Sequence, residues 1–191
     1  MKKSLPFALL LLILFSCKKN KDEFTPTTVT QAEALLTYVQ AKGPQNNNWY
    51  SVKAMDGLEV SSLNEDIEYQ GSAIFGYYNQ NAGYGLYSPD DFPIAHGQEN
   101  WSNRLSVRFR NTAITGEQLD QLQAQYPAGF PVPVILDQWN KGSNEQSHIT
   151  KPQKGDTYSF RTTDGRITGL LQIQGIANSN SDLLFEIWVA R

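Results

Sequence analysis

Thr157-Tyr158-Ser159-Phe160-Arg161-Thr162, a turn at Asp164-Gly165, the run Ile167 to Ile176, a polar loop at Asn178 to Asp182 and the closing run Leu183 to Ala190 decide the fold of this 191-residue chain. Aromatic and β-branched residues fill the three runs, and Gly, Asn and Asp fill the breaks between them. The stretch therefore predicts a three-stranded antiparallel meander. In its last strand Phe185, Ile187 and Val189 face one way while Glu186 and Trp188 face the other, which predicts a buried face and a half-exposed Trp188.

The same signals extend upstream. Leu105, Val107 and Phe109 alternate with Arg104, Ser106, Arg108 and Arg110, giving a strand with one core face and one basic face. Arginines along one strand face could hold an anion, but pairing with acidic residues on a neighbouring strand is the preferred reading. Ser72 to Tyr87 reads as a hairpin turning at Asn79 to Gly83, and Trp49 to Ala54 with Leu58 to Leu63 as another, closed at Asp56-Gly57. Pro131-Val132-Pro133 ahead of Val134 to Leu136 predicts an edge strand. Two capping boxes, Thr30 with Glu33 and Thr115 with Gln118, open short amphipathic helices. The first carries Ala32, Leu35, Leu36 and Val39 up to Gly43-Pro44, the second Leu119, Leu122 and Tyr126 up to Pro127. The expected fold is mainly β, an antiparallel β-sandwich or open barrel with two short amphipathic helices, in one domain over residues 30–191.

Sixteen basic and nineteen acidic residues give a net charge of -3, too little positive field to hold nucleic acid. No G-x-S-x-G elbow, Walker A loop or H-E-x-x-H pair is present, and the one cysteine is Cys17. Asp90, Asp91 and Glu99 offer carboxylates, and His96 with Glu99 falls short of a metal-ligand set. These features predict a non-catalytic binding or structural domain without a cofactor, with an envelope hydrolase as a third reading.

The amino terminus supplies an address. Met1-Lys2-Lys3-Ser4 is basic, and Leu5 to Phe15 is an apolar run of roughly 17 Å as a helix, too short to cross a bilayer. With Leu14-Phe15-Ser16-Cys17 at its end, the segment resembles the signal peptide and lipobox of bacterial lipoproteins. The resemblance implies cleavage after residue 16, acylation of Cys17, and anchoring in the outer membrane by lipid rather than by a helix. Residues 17–29 then form a flexible tether, and Lys21-Asp22-Glu23 is similar to the signal that carries lipoproteins of Bacteroidota to the cell surface. Without Lys2 and Lys3, fourteen basic residues face nineteen acidic ones, a mature charge of about -5.

Two sets of residues are candidates for ligand binding. Tyr77, Tyr78, Tyr84 and Tyr87 in the hairpin, with Trp188, suit a glycan or an envelope protein, because aromatic rings give large contact area at low entropy cost. Half of these rings belonging to the core is the competing reading. The stretch Tyr158 to Thr162, Asp164-Gly165-Arg166 and Leu171-Gln172-Ile173 with a final aromatic strand resembles the carboxyl-terminal meander of HmuY-like haem-binding lipoproteins. That resemblance implies an all-β lipoprotein and makes haem the alternative ligand, with His96 and His148 as the available imidazoles.

Overall fold

The computed structural model describes residues 24–80, 83–176 and 182–191. The basic start, the apolar run, Cys17 and Lys21-Asp22-Glu23 lie outside the described residues. In chain order the strands are β1 (Val29–Leu36), β2 (Asn47–Ser51), β3 (Asp56–Glu59), β4 (Ala73–Tyr78), β5 (Gly85–Tyr87), β6 (Val107–Asn111), β7 (Ser143–Gln146), β8 (His148–Thr150), β9 (Thr157–Thr162), β10 (Thr168–Ile176) and β11 (Leu183–Ala190). The helices are α1 (Val60–Glu65), α2 (Ile67–Gln70), α3 (Gly116–Gln125) and α4 (Val132–Lys141).

All strand pairs are antiparallel, and they make two sheets, β1-β11-β10-β9-β6-β7 and β3-β2-β4-β5-β8. The predicted meander is the centre of the first sheet. The two sheets stack face to face without closing into a barrel, and Ser147 alone separates β7 in one from β8 in the other. Phe75 of β4 stands at the centre of the interface. Its ring centroid lies 6.0 Å from Phe109, 6.0 Å from Phe160, 5.7 Å from Phe185 and 5.3 Å from Tyr50. Leu36, Leu86, Leu171, Ile173 and Ile187 complete a core whose residues come from alternate positions of both sheets.

Residues 30–39 form no helix, because β1 pairs with β11 over eight residues, from Val29 opposite Ala190 to Leu36 opposite Leu183. Ala34 and Leu36 are buried while Leu35 and Val39, which a helix would have turned inward, stay exposed. Pairing with an otherwise open strand edge outweighs a local capping box. The first hairpin turns earlier than Asp56-Gly57. Ser51 accepts the Met55 N–H at 2.7 Å on its carbonyl and the Lys53 and Ala54 N–H groups on its hydroxyl, and Met55 takes a left-handed φ of 56°. Asp56 and Gly57 then belong to β3, and Val60 to Glu65 coils as α1 instead of extending.

The segment expected as an edge strand is α4. Pro133 sits in its first turn, where a missing N–H costs nothing, and Ile135 and Trp139, one turn apart, are buried. The Thr115–Gln118 capping box forms as predicted: the Thr115 hydroxyl accepts the Gln118 N–H at 3.3 Å and Gln118 Oε1 accepts the Thr115 N–H at 2.9 Å. α3, α4 and the turn between them cover part of the outer face of the six-stranded sheet, placing Leu119, Phe130 and Ile135 on Leu170, Trp188 and Ala190. Trp188 is therefore core, 1% exposed with Phe130 at 4.9 Å, and not the half-exposed ring that alternation alone predicts. Replacing Trp188 by Ala should lower unfolding free energy by about 3–5 kcal/mol in a urea titration. A loss under about 1 kcal/mol would contradict this packing.

Candidate functional site

Strand alternation divides the four hairpin tyrosines into two pairs. Tyr77 stands opposite Leu86, points between the sheets and is fully buried, so it offers no ring to a ligand. Tyr84 lies on the same side, two residues before Leu86; its hydroxyl donates to the Pro152 carbonyl and accepts from Gln153 Nε2, each at 3.0 Å. Tyr78 and Tyr87 stand on the opposite, outer face of the five-stranded sheet. Tyr87 donates to the Gly83 carbonyl at 2.6 Å and Tyr78 to Gln80 Oε1 at 3.1 Å, which fixes both rings. The structure thus keeps Tyr78 and Tyr87 together on the outer face, but Tyr87, 8% exposed, is a support for its neighbours, and Tyr77 and Trp188 are buried away from any binding surface.

An aromatic tract crosses this outer face. Gly76 lies opposite both Trp49 and Tyr87, and a Cβ there would approach Phe92 to 2.6 Å. The glycine lets Phe92 lie on the sheet, 4.5 Å from Trp49, 6.1 Å from Tyr78 and 6.2 Å from Tyr87. Trp101 closes one end of the tract against Trp49 at 5.1 Å. His148 closes the other: it pairs with Tyr87 across β5 and β8 and stacks on that ring at 5.2 Å and 27°.

His148 is also held from the side. Its Nδ1 lies 2.7 Å from Asp91 Oδ2, an oxygen that also accepts the Ser147 hydroxyl at 2.5 Å. Burial alone would raise the Asp91 carboxyl, but the hydrogen bonds from Ser147 and His148 outweigh it and hold the group below its ordinary value. Both side chains remain about two-fifths exposed, at 41% for His148 and 43% for Asp91. The preceding Asp90 is committed elsewhere: it accepts the Ser88 hydroxyl and, at 2.7 Å, the Ser106 hydroxyl, with Arg108 at 3.6 Å. The Asp90-Asp91 corner is thereby tied to both sheets.

His96 occupies a different support, the segment covering α1. Asn64 donates to the His96 carbonyl at 2.9 Å and accepts the Trp101 indole N–H at 2.7 Å, while the His96 N–H donates to Gln98 Oε1 at 2.7 Å. Its Nε2 is buried with no hydrogen-bond partner, and burial holds its pKa below the ordinary value against the opposing pull of Glu99. Among the described residues no hydrogen bond or ring contact joins His96 to His148. Ser147, His148 and Asp91 carry the side chains of a nucleophilic triad in the wrong order. The serine bonds the carboxylate and lies 3.5 Å from Nδ1, the nitrogen that Asp91 already uses. Among the described residues no cluster of three or more His, Cys, Asp and Glu side chains could hold a metal ion.

The sequence flagged His148 and Asp91 separately, but nothing in it signals that residues 57 positions apart meet. Phe92 and Ser147 carried no signal at all.

These features define a class: a two-sheet antiparallel β-sandwich with short helices on its outer faces and a fixed aromatic and His–Asp patch at one sheet edge. No family model and no curated protein sequence matches the chain. Among solved structures it is similar to a DUF4466 family protein from Parabacteroides merdae ATCC 43184, with a TM-score of 0.55 at 12% sequence identity. The match covers 86% of this chain and 54% of that one, so the chain spans about half the length of the protein it matches. The likeness is one of fold.

Both shifted groups bind protons less readily when folded, so both make stability rise with pH. For His96 the contribution is complete above its ordinary value of 6.5 and lost as pH falls through the lowered folded value. For Asp91 the same loss occurs in acid, below 3.8. His96→Gln should flatten the upper limb of stability against pH and Asp91→Asn the acid limb, measured by denaturant titration across pH. Unchanged slopes would refute these environments.

Proposed function

We propose that the protein is a lipid-anchored lipoprotein of the cell envelope, held at the outer membrane by an acylated Cys17, whose β domain binds a ligand and does not catalyse. The patch of His148, Asp91 and Tyr78, backed by the buried Tyr87 ring, is its contact surface, and a hydroxyl-rich glycan is the ligand class. One observation carries the reading: a half-exposed imidazole fixed between the Tyr87 ring and the Asp91 carboxylate. A fixed flat ring suits the apolar face of a sugar, and the carboxylate beside it accepts hydroxyl hydrogen bonds. Groups already locked in place lose little further entropy on binding.

The anchor compensates for a small contact. A lipid at Cys17 confines the domain to the membrane surface, so a weak glycan interaction is raised by effective concentration. An envelope protein as partner is the other occupant compatible with this patch. Titrating the domain with envelope polysaccharide should give saturable NMR shifts around His148. His148→Ala or Asp91→Asn should weaken binding about tenfold with little change in melting temperature. Equal binding by parent and variants would remove the patch from the function, and Cys17→Ser should release the protein from the membrane fraction.

Haem is a second reading with one specific support. The carboxylate on Nδ1 resembles the outer-shell partner that orients metal-ligating imidazoles, and it leaves Nε2 of His148 outward. A Soret band saturating at one equivalent and lost in His148→Ala would replace the glycan reading with this one. His96 would be the further imidazole to test.

A further inference from the structure

The groove on the outside of the six-stranded sheet has a chemistry that the His148 patch does not use. β6 and β9 are registered so that Arg108 faces Arg161 and Arg110 faces Ser159, while Phe109 and Phe160 between them point into the core. Two like charges directly opposed across a strand pair repel. The neighbours relieve most of this charge. Arg110 donates twice to Glu145 Oε2, at 3.0 and 2.7 Å, and once to the Trp139 carbonyl, with its guanidinium 4.2 Å over the Trp139 ring. Arg108 has Asp90 at 3.6 Å and the Val107 carbonyl at 2.9 Å. Asp164 caps its own turn, accepting from the Thr162 hydroxyl and the Arg166 N–H, with the Arg166 side chain 3.9 Å away.

Arg161 is the exception. No carboxylate among the described residues comes within ion-pair distance of it, and its Nε is buried with no hydrogen-bond partner. Thr168, directly opposite it on β10, carries a buried hydroxyl that is also unpartnered. Beneath the guanidinium is Gly165, whose φ of 75° and missing Cβ leave room: a Cβ there would stand 3.2 Å from Arg161 Nη2. Arg108, Arg161, Arg166 and Trp139 line one open groove, together with the two carboxylates already engaged, Glu145 with Arg110 and Asp164 within its own turn. Buried donors normally find partners, so an unpaired guanidinium with an unpartnered Nε, on the wall of an open groove, describes a place for an acceptor that the described residues do not supply.

We propose that Arg161, assisted by Arg108 across the strand pair, binds an oxyanion, a carboxylate or phosphate group of a small ligand. A guanidinium presents N–H groups side by side to two oxygens, and the Arg161 side chain lines the open groove. The anion also neutralises the repulsion between the opposed arginines. This site is independent of the glycan patch and stands or falls separately from it.

The test titrates the full chain in detergent with inorganic phosphate and with glucuronate, using glucose as the neutral control and chloride to hold ionic strength. The arginine Nε–H resonances are followed by NMR. The Arg161 resonance should move saturably with at least one anion and not with glucose, phosphate alone marking a phosphate ligand and glucuronate alone a carboxylate. Arg161→Gln should weaken binding at least about tenfold and, without anion, melt no lower than the parent, because it removes a like-charge contact. Arg161→Lys, which keeps the charge and loses the fork, should weaken binding comparably. A non-saturating drift with every salt, unchanged binding in Arg161→Gln, or a marked fall in its melting temperature without anion would each overturn the proposal.

Discussion

The contact on which this structure depends is the Phe75 ring wedged among Phe109, Phe160 and Phe185 of the facing sheet, with Tyr50 stacked beside it at 15°. It joins β4 to three strands of the other sheet at once. Only one pleat phase of each strand puts these rings inward, so the contact fixes which residues of every paired strand face out. Phe109 and Phe160 inward means Arg108 and Arg161 outward; Phe75 inward means Gly76 outward, and hence Phe92, Tyr87 and His148 on the outer face. Both candidate binding surfaces follow from the phase set by the core.

The outer faces are then covered unequally. α3 and α4 seal the part of the six-stranded sheet around Trp188, and α1 with residues 88–101 seals the part of the five-stranded sheet around Trp49. The two surfaces proposed for binding lie on either side of the seam where β7 passes into β8. Asp90 and Asp91 sit at that seam with their carboxylates directed to Arg108 and His148 respectively. A single two-residue corner thus buttresses a residue of each surface, which gives both of them rigid supports without placing either in a deep cavity.

Much of the fold was legible and much of the site was not, for different physical reasons. β9 and β11 begin and end where alternation and turn residues place them, since both signals are local. β1 was misread because Ala32, Leu35, Leu36 and Val39 satisfy a helical period while Ala32, Ala34 and Leu36 satisfy a strand period; β11, some 150 residues away, decides between them. The Pro131-Val132-Pro133 segment misled in the other direction, because proline stops a helix in its interior and starts one in its first turn. Alternation alone separates Tyr77 from Tyr78, yet how much of the outer face stays open depends on where Phe92 settles. The pairing expected for Arg104, Arg108 and Arg110 holds for Arg108 and Arg110, while Arg104 makes no ion pair among the described residues; Arg161 carried no such expectation, and its lack of a partner is a property of the packed sheet.

The proposed binding role draws on how His148 is held. General acid–base chemistry needs a proton acceptor within hydrogen-bond reach of the group it serves, and at His148 the carboxylate and the serine both engage the Nδ1 side. The ring stacks on Tyr87 and its side chain is 41% exposed, so the imidazole is oriented and open to solvent at once. A group held in this way gives up little entropy on contact, which is what the proposed recognition of an extended ligand that brings its own hydroxyls requires.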